Sequence, residues 1–228
     1  MCLICEGKSL ENLMELVVCD KVTEIPELPL SLICLDYGYC PLLTTIPKLP
    51  QSLEHLDCSN CPLLPTIPEL PQSLIRLYCN NCPLTTLQEL PSLTYLDCSN
   101  CPLLTTLPEL PQSLVYLVCN RCPLTTLPKL PHELRYIDCH NCPLLTTLPK
   151  LPQSLMHFDC SECRLLITIP DLPQSLICLD CRFTRLIFVP EGAEKFISPK
   201  LIKTINKYHK WRQQQSYDWF SSKNWGYL

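Results

Sequence analysis

The sequence predicts a solenoid dominated by β-structure, in which short parallel strands from consecutive repeats form one curved sheet. Three observations support this fold. Residues 52–64 and 92–104 differ at only two positions, so the chain is built from repeats of about twenty residues. Apolar and polar residues alternate within each repeat, as in a strand with one buried face. Pairs of prolines then follow, which argues against a regular helix on the return path.

The repeats begin at leucines that lie 19 to 21 residues apart. These leucines are Leu13, Leu32, Leu53, Leu74, Leu93, Leu114, Leu134, Leu155 and Leu176. When each is counted as position 1, positions 4 and 6 are mostly leucine or cysteine, while positions 3, 5 and 7 are polar or variable. This period of two predicts one strand per repeat, with positions 3, 5 and 7 on the open, concave face of the sheet.

The return path between strands carries prolines three residues apart, such as Pro108 and Pro111. Proline removes a backbone donor and holds φ near the polyproline value. We therefore expect an extended, polyproline-like convex side and parallel strands stacked about 4.8 Å apart. Because each coil contacts only its neighbours, the two ends of the solenoid need caps.

The recurring phrase L-P-x-L-P-x-x-L-x-x-L within residues 13–190 resembles the short leucine-rich repeats of bacterial effector proteins. Its cysteine-rich form, with a tail containing lysine and asparagine, looks most like leucine-rich-repeat proteins of giant amoeba viruses of the mimivirus group. The resemblance implies an all-β-dominated leucine-rich-repeat solenoid, with a parallel sheet on the concave side, that recognises a protein partner.

Three segments are predicted along the chain. Residues 1–12 form an N-terminal cap, residues 13–190 form about eight to nine leucine-rich repeats, and residues 191–228 form a basic, helical C-terminal cap. Ser198-Pro199 is typical of a helix start, and apolar residues at helical spacing predict a helix over 199–214. Contact of its lysines with nucleic acid or a membrane surface is an alternative, which the acidic repeats disfavour because they repel phosphate.

Composition indicates a soluble globular protein, with 46% hydrophobic and 18% charged residues and a net charge of −4. Prolines, charges and amides interrupt every apolar run, so no membrane-spanning helix is expected. Glu6 and Lys8 likewise break the apolar start that a signal peptide requires. We therefore expect a cytoplasmic protein, located in the host cytoplasm if it is viral, whose 19 cysteines are kept reduced.

Two columns of cysteine run through the repeats. Position 6 carries Cys58, Cys79, Cys98, Cys119, Cys139, Cys160 and Cys181, and position 9 carries Cys61, Cys82, Cys101, Cys122, Cys142 and Cys163. The resemblance implies that position 6 points into the core and that position 9 usually holds asparagine at the turn. Cysteine is small and often buried, so we expect both columns to pack as thiols. Zinc bound by the repeated C-x-x-C pairs and disulfides between repeats are the alternatives.

Four cysteines fall outside these columns and are the better candidates for reactive thiols. Cys34 and Cys178 occupy position 3 on the open face, and Cys2 and Cys5 lie in the N-terminal cap. Palmitoylation of the N-terminal pair is conceivable, but a cap with packed or exposed thiols is favoured because a second membrane anchor is lacking.

The open face carries the candidate binding residues. Position 5 supplies Asp36, Asp57, Asp97, Asp138, Asp159 and Asp180, and position 3 supplies His55, Arg76, Tyr95, Tyr116, Tyr136 and His157. Stacked like charges are unfavourable, and tyrosine and arginine are frequent in interface hot spots. The pattern favours docking of a basic protein segment. The alternative is that duplication simply copied a solvated aspartate.

These observations predict a non-enzymatic scaffold for protein–protein interaction. A regular ladder of aspartates offers no unique acid pair for catalysis, and we expect no cofactor, no nucleic acid and no membrane partner. The sequence leaves the oligomeric state open. A thiol-rich zinc-binding protein that uses the C-x-x-C ladder is the alternative function.

Overall fold

The computed structural model describes residues 2–90, 92–188 and 190–196. Nine strands form one sheet in chain order, and every neighbouring pair is parallel. They are β1 (Glu15–Val17), β2 (Cys34–Asp36), β3 (His55–Asp57), β4 (Arg76–Tyr78), β5 (Tyr95–Asp97), β6 (Tyr116–Val118), β7 (Tyr136–Asp138), β8 (His157–Asp159) and β9 (Cys178–Asp180). The predicted solenoid dominated by β-structure is confirmed.

Each strand covers positions 3, 4 and 5 of its repeat, and only the central residue points into the core. Strands pair in register, so Leu56 lies between Leu35 and Leu77, and all three are fully buried. From Leu32 to Leu176, the leading leucines at position 1 form a second buried column, and Leu13 packs against it partly buried. Because a single coil cannot cover these side chains, the core exists only between stacked coils.

A backbone turn after each strand keeps the coils in register. Position 8 adopts a left-handed conformation, with φ between 51° and 63°, at Tyr39, Asn60, Asn81, Asn100, Arg121, Asn141, Glu162 and Phe183. This conformation directs the N–H at position 8 to the next coil, as in the 2.8 Å bond from Asn60 N to Asn80 O. The inter-coil ladder of hydrogen bonds therefore extends beyond the three-residue strands.

Replacing Asn60 with valine tests this turn. A β-branched side chain is strained at positive φ, so we expect Asn60→Val to lower the free energy of unfolding by about 1–2 kcal/mol. Asn60→Gly is the matched control and should leave stability within about 0.5 kcal/mol of the original chain. Urea unfolding followed by circular dichroism measures both variants. Equal stability of the valine and glycine variants would refute the turn argument.

The return path is extended and contains no strand between residues 18 and 33 or in the corresponding described segments. A serine just before the leading leucine connects its repeat to the preceding coil through a hydrogen bond. Ser73 Oγ donates to Leu53 O at 2.6 Å, and Ser113 Oγ donates to Leu93 O at 2.9 Å. These side chains satisfy carbonyls that the proline-rich backbone leaves without a donor.

The two ends differ in how much the structure describes. Residues 2–12 form turns whose apolar side chains Leu3, Ile4 and Leu10 pack against the core. After β9, one 3₁₀ turn spans Ala193–Lys195, and the predicted helix over 199–214 lies outside the described residues. In the part of the chain that is described, no helix has the length and apolarity needed to cross a membrane.

Candidate protein-binding face

The structure places all twelve candidate residues on the same side of the sheet, opposite the buried leucines. We call the six at position 5 the aspartate column: Asp36, Asp57, Asp97, Asp138, Asp159 and Asp180. At position 3, His55, Arg76, Tyr95, Tyr116, Tyr136 and His157 follow one another on β3 to β8. The predicted juxtaposition of these side chains is therefore present, and their role in binding stays a prediction.

A continuous stack of rings, here called the aromatic stripe, runs along this face. It consists of Tyr78, Tyr95, Tyr116, Tyr136 and His157, with successive ring centroids 4.8, 6.0, 6.0 and 6.1 Å apart. The rings are tilted by 33° to 38°, within the range of favourable offset packing. Tyr78 was not among the predicted site residues. Its signal in the sequence is that it replaces the aspartate at position 5 and so reaches the ring of the next repeat.

The stripe presents protonated phenols to solvent. Burial, together with the neighbouring Asp97 and Tyr78, raises the pKa of Tyr95 to about 12. Burial likewise raises the pKa of Tyr136. Tyr116, between them, is 46% exposed. At neutral pH these hydroxyls can therefore donate hydrogen bonds to a ligand.

Each member of the aspartate column also closes the turn that follows it. The Oδ1 atom accepts a hydrogen bond from the N–H two residues later, at Gly38, Ser59, Ser99, His140, Ser161 and Arg182, over 2.9 to 3.1 Å. This Asx turn gives the aspartates a structural reason to recur. It also corrects the expectation for position 7, because Ser59 and Ser161 are buried beside the carboxylates and not presented on the face.

The aspartates near the C-terminal end are partly neutralised by neighbours. Asp138 accepts hydrogen bonds from Asn120 Nδ2 at 2.7 Å and contacts His140 Nδ1 at 2.8 Å. Arg182 binds both oxygens of Asp180, and this contact lowers the pKa of Asp180. His140 and the carboxylates of Asp138 and Asp159 converge within 4.8 Å. Within this group a hydrogen bond joins His140 to Asp138, whereas Asp159 accepts hydrogen bonds from Ser161.

Both cysteine columns are buried, and their thiols face backbone carbonyls of adjacent coils. At position 9, Cys82 Sγ donates to Cys58 O at 3.0 Å, and Cys163 Sγ donates to Cys139 O at 3.1 Å. At position 6, burial raises the pKa of thiols such as Cys79 and Cys98 well above the ordinary value. All 19 cysteines are free thiols. The geometry agrees with packing, since the position 9 sulfurs already donate to backbone carbonyls, as Cys61 Sγ does to Tyr37 O at 3.3 Å.

A different thiol cluster lies at the N-terminal end. The sulfurs of Cys2, Cys5 and Cys19 lie within 4.8 Å of one another. Burial raises the pKa of Cys2, but N–H groups of Cys5 and Cys19 and the Cys19 thiol lower it more, and the net pKa is about 7. The sequence had singled out Cys2 and Cys5 but not Cys19. In the described residues, no other three cysteine sulfurs converge in this way.

Comparisons with known proteins support the repeat assignment. The family model for two tandem leucine-rich repeats matches residues 72–112, and the model for a single leucine-rich repeat matches residues 52–74. These segments are leucine-rich repeats, as the sequence predicted. A search of curated proteins found no match.

Solved structures of bacterial proteins are similar to this chain. YopM from Yersinia enterocolitica WA-314 shares 30% identity and a TM-score of 0.60, over 78% of this chain and 43% of that protein. YopM, a leucine-rich effector protein from Yersinia pestis, shares 27% identity and a TM-score of 0.45, over 81% of this chain and 76% of that one. The chain therefore spans less than half of the first protein's length. The likeness to the Yersinia enterocolitica protein agrees with the predicted resemblance to bacterial effector repeats.

Proposed function

We propose that this protein is a non-enzymatic scaffold whose open face binds a basic segment of a protein partner in the cytoplasm. Leucine-rich-repeat proteins generally bind protein partners, which supports the general class. The observation that carries the proposal is the aromatic stripe flanked by carboxylates on one exposed face. We further propose that the protein is viral and acts on host proteins. This part of the proposal rests on the cysteine-rich form of the repeat.

The aromatic stripe supplies the apolar part of the proposed contact. Its five rings come from five consecutive strands, so they span about 19 Å at a strand spacing of about 4.8 Å. An extended segment of about six residues has that length. Tyrosine buries a large area at a low cost in side-chain entropy and keeps a hydroxyl for hydrogen bonding. The stripe thus suits a peptide that lies across the strands.

The aspartate column supplies the charge. Each carboxylate uses Oδ1 for its Asx turn, which leaves Oδ2 of residues such as Asp57 and Asp97 directed away from that bond. Register neighbours Asp36 and Asp57 bring two negative charges onto adjacent strands, an unfavourable pairing that a cationic ligand would relieve. Lysine or arginine in the partner is therefore favoured, and phosphate-bearing partners are disfavoured.

Removing charge without breaking the turn tests the role of the aspartates. Asparagine retains the Oδ1 acceptor, so Asp97→Asn, Asp138→Asn and Asp159→Asn together should preserve the fold and weaken capture of a basic peptide by on the order of tenfold. The probe is a peptide display selection, followed by fluorescence anisotropy with the enriched sequences. We expect enrichment of lysine and arginine.

The matched control makes the same change in net charge on the return path, where Glu69, Glu89 and Glu109 are exposed. Replacing these three glutamates with glutamine should leave peptide affinity nearly unchanged. Equal loss in both triple variants would show a general charge effect, and unchanged affinity in the aspartate variant would refute the proposed basic partner.

Tyr116 tests the aromatic stripe. Its ring lies in the middle of the stack and is 46% exposed, so Tyr116→Ala removes contact area while leaving the buried core intact. We expect at least about 2 kcal/mol loss of binding free energy for the selected peptides, as for an interface hot spot. Leu103→Ala, at an exposed leucine outside the strands, is the control. Unchanged affinity of the Tyr116 variant would place binding elsewhere.

A further inference from the structure

The N-terminal thiol cluster differs from the two cysteine columns in both exposure and partners. Cys5 is exposed, whereas Cys2 and Cys19 are half-buried. Cys5 Sγ lies 3.3 Å from Cys19 Sγ, and all three sulfurs lie within 4.8 Å of one another. The column thiols, in contrast, are buried and donate to carbonyls of the neighbouring coil.

We propose that Cys2, Cys5 and Cys19 form a thiolate site for a zinc ion, which ties the N-terminal cap to the first repeat. Zinc binds thiolate sulfur at about 2.3 Å in tetrahedral geometry, which places sulfurs about 3.8 Å apart. The Cys5–Cys19 sulfur separation of 3.3 Å lies close to that value, and no two of the three sulfurs are more than 4.8 Å apart. Only small rotations of the three side chains are needed to reach it. The proposal goes beyond partner binding, because the three cysteines belong to the N-terminal segment and the first repeat and none of them is among the candidate binding residues.

The positions of the three ligands along the chain also suit zinc. Cys2 and Cys5 form a C-x-x-C pair, the spacing with which a single turn brings two sulfurs onto one metal. Cys19 comes from the first repeat, immediately after β1 and Val18. The Cys40 thiol donates to Cys19 O at 3.4 Å and so anchors this backbone from the second repeat.

The surroundings provide access and a fourth ligand. The three cysteines line a surface pocket together with Glu6 and Asp20. A carboxylate from either residue or a water molecule can complete four-coordination. Each thiol that binds releases its proton to solvent, so binding strengthens as the pH rises towards neutrality.

Zinc at this site would stabilise the open edge of the sheet. Among the strands of the described residues, β1 pairs with β2 alone, and its other edge is a template for pairing with another chain. Residues 2–5 contribute Leu3 and Ile4 to the packing against the core at this end. A metal that links Cys2 and Cys5 to Cys19 would hold the cap against the edge, a role that disulfides or metals take where a small segment cannot hold itself.

The experiment uses the full chain, reduced with a phosphine and stripped of metal. We expect the original protein to retain about one equivalent of added zinc after desalting and to show thiolate-to-cobalt charge transfer with Co²⁺. Zinc should also raise the midpoint of thermal unfolding. In Cys5→Ser, a change at an exposed site that should preserve folding, zinc affinity should fall at least about tenfold and the thermal shift should vanish.

Cys178→Ser is the matched control, since Cys178 is also exposed but lies in β9. It should bind zinc like the original protein. Three results would overturn the proposal: no retained zinc in the original chain, equal retention in Cys5→Ser, or a Cys5–Cys19 disulfide formed on mild oxidation by a reduced protein that binds no zinc.

Discussion

Raising the pH from about 8 to about 10 under reducing conditions should unfold this protein. The cause is the column of buried thiols at position 6. Burial raises the pKa of five of these thiols, Cys58, Cys79, Cys98, Cys119 and Cys160, well above the ordinary value. In the unfolded chain a cysteine ionises near pH 8.5.

The direction of the effect follows from proton linkage. Below about pH 8.5 both states hold the thiol protons, and the stability that burial of neutral thiols provides is fully present. Above that pH the unfolded chain loses protons that the folded chain keeps, so the free energy of unfolding falls. Each such thiol lowers the free energy of unfolding by about 1.4 kcal/mol for every pH unit of this rise. Together the five thiols lower it by on the order of 10 kcal/mol between about pH 8 and about pH 10, which is comparable with the 5–15 kcal/mol stability of an ordinary domain.

Urea unfolding midpoints, measured by circular dichroism at intervals from about pH 7 to about pH 10.5, check this prediction. Return to neutral pH should restore the fold, which separates linkage from chemical damage. As a control, native protein at pH 7 should react with a thiol reagent mainly at the exposed Cys178 and at the N-terminal thiol cluster, and at all 19 cysteines only after unfolding. A midpoint that stays constant up to about pH 10 would contradict the buried-thiol argument.

The strands and their inward-facing residues could be predicted because one simple period determines them. Full burial of Leu56 between the half-buried His55 and Asp57 follows directly from alternation within a strand. The repeat also makes the prediction robust, since the same alternation recurs in register from β1 to β9. The candidate face could be listed for the same reason. Whether a partner uses it depends on chemistry that the period does not encode.

The turn after the strand could not be predicted with the same ease. Position 8 holds asparagine in four repeats, but in others it holds Arg121, Glu162 or Phe183. The residue type at this position therefore does not predict its left-handed conformation. The conformation arises from hydrogen bonds to the next coil, such as Arg121 N to His140 O at 2.9 Å. The Asx turns of the aspartates could not be predicted either, because their donors are backbone N–H groups, which every residue type except proline has.

Cys19 was missed for a related reason. It occupies position 7 of the first repeat, whereas the other repeats carry glycine, serine, asparagine, histidine or arginine there. Taken alone, it is one more cysteine in a chain with 19. Only the path of residues 2–8, which turn back through bonds such as Lys8 N to Leu3 O at 3.0 Å, brings Cys2 and Cys5 to it. Proximity across a cap is a property of tertiary structure.

Replacing a leucine of the position 4 column with alanine should lower the free energy of unfolding more in the middle of the solenoid than at its end. Leu96 is fully buried in β5 and lies between Leu77 and Leu117, whereas Leu179 is 8% exposed in β9, the last strand of the sheet. We expect Leu96→Ala to lower the free energy of unfolding by about 3–5 kcal/mol, because a cavity opens between two coils that cannot close around it. Leu179→Ala should cost about 2 kcal/mol, since its end of the column can relax.

The comparison also tests how stability is distributed along the repeats. If neighbour interfaces carry it, Leu96→Ala weakens two interfaces at once and should reduce the cooperativity of unfolding as well as its midpoint. Leu179→Ala affects the interface with β8 and should shift the midpoint alone. Urea unfolding followed by both circular dichroism and tyrosine fluorescence separates these outcomes, because the rings of Tyr78, Tyr95 and Tyr116 report on the central coils. Equal losses in the two variants would mean that the chain behaves as a single core and not as a row of stacked units.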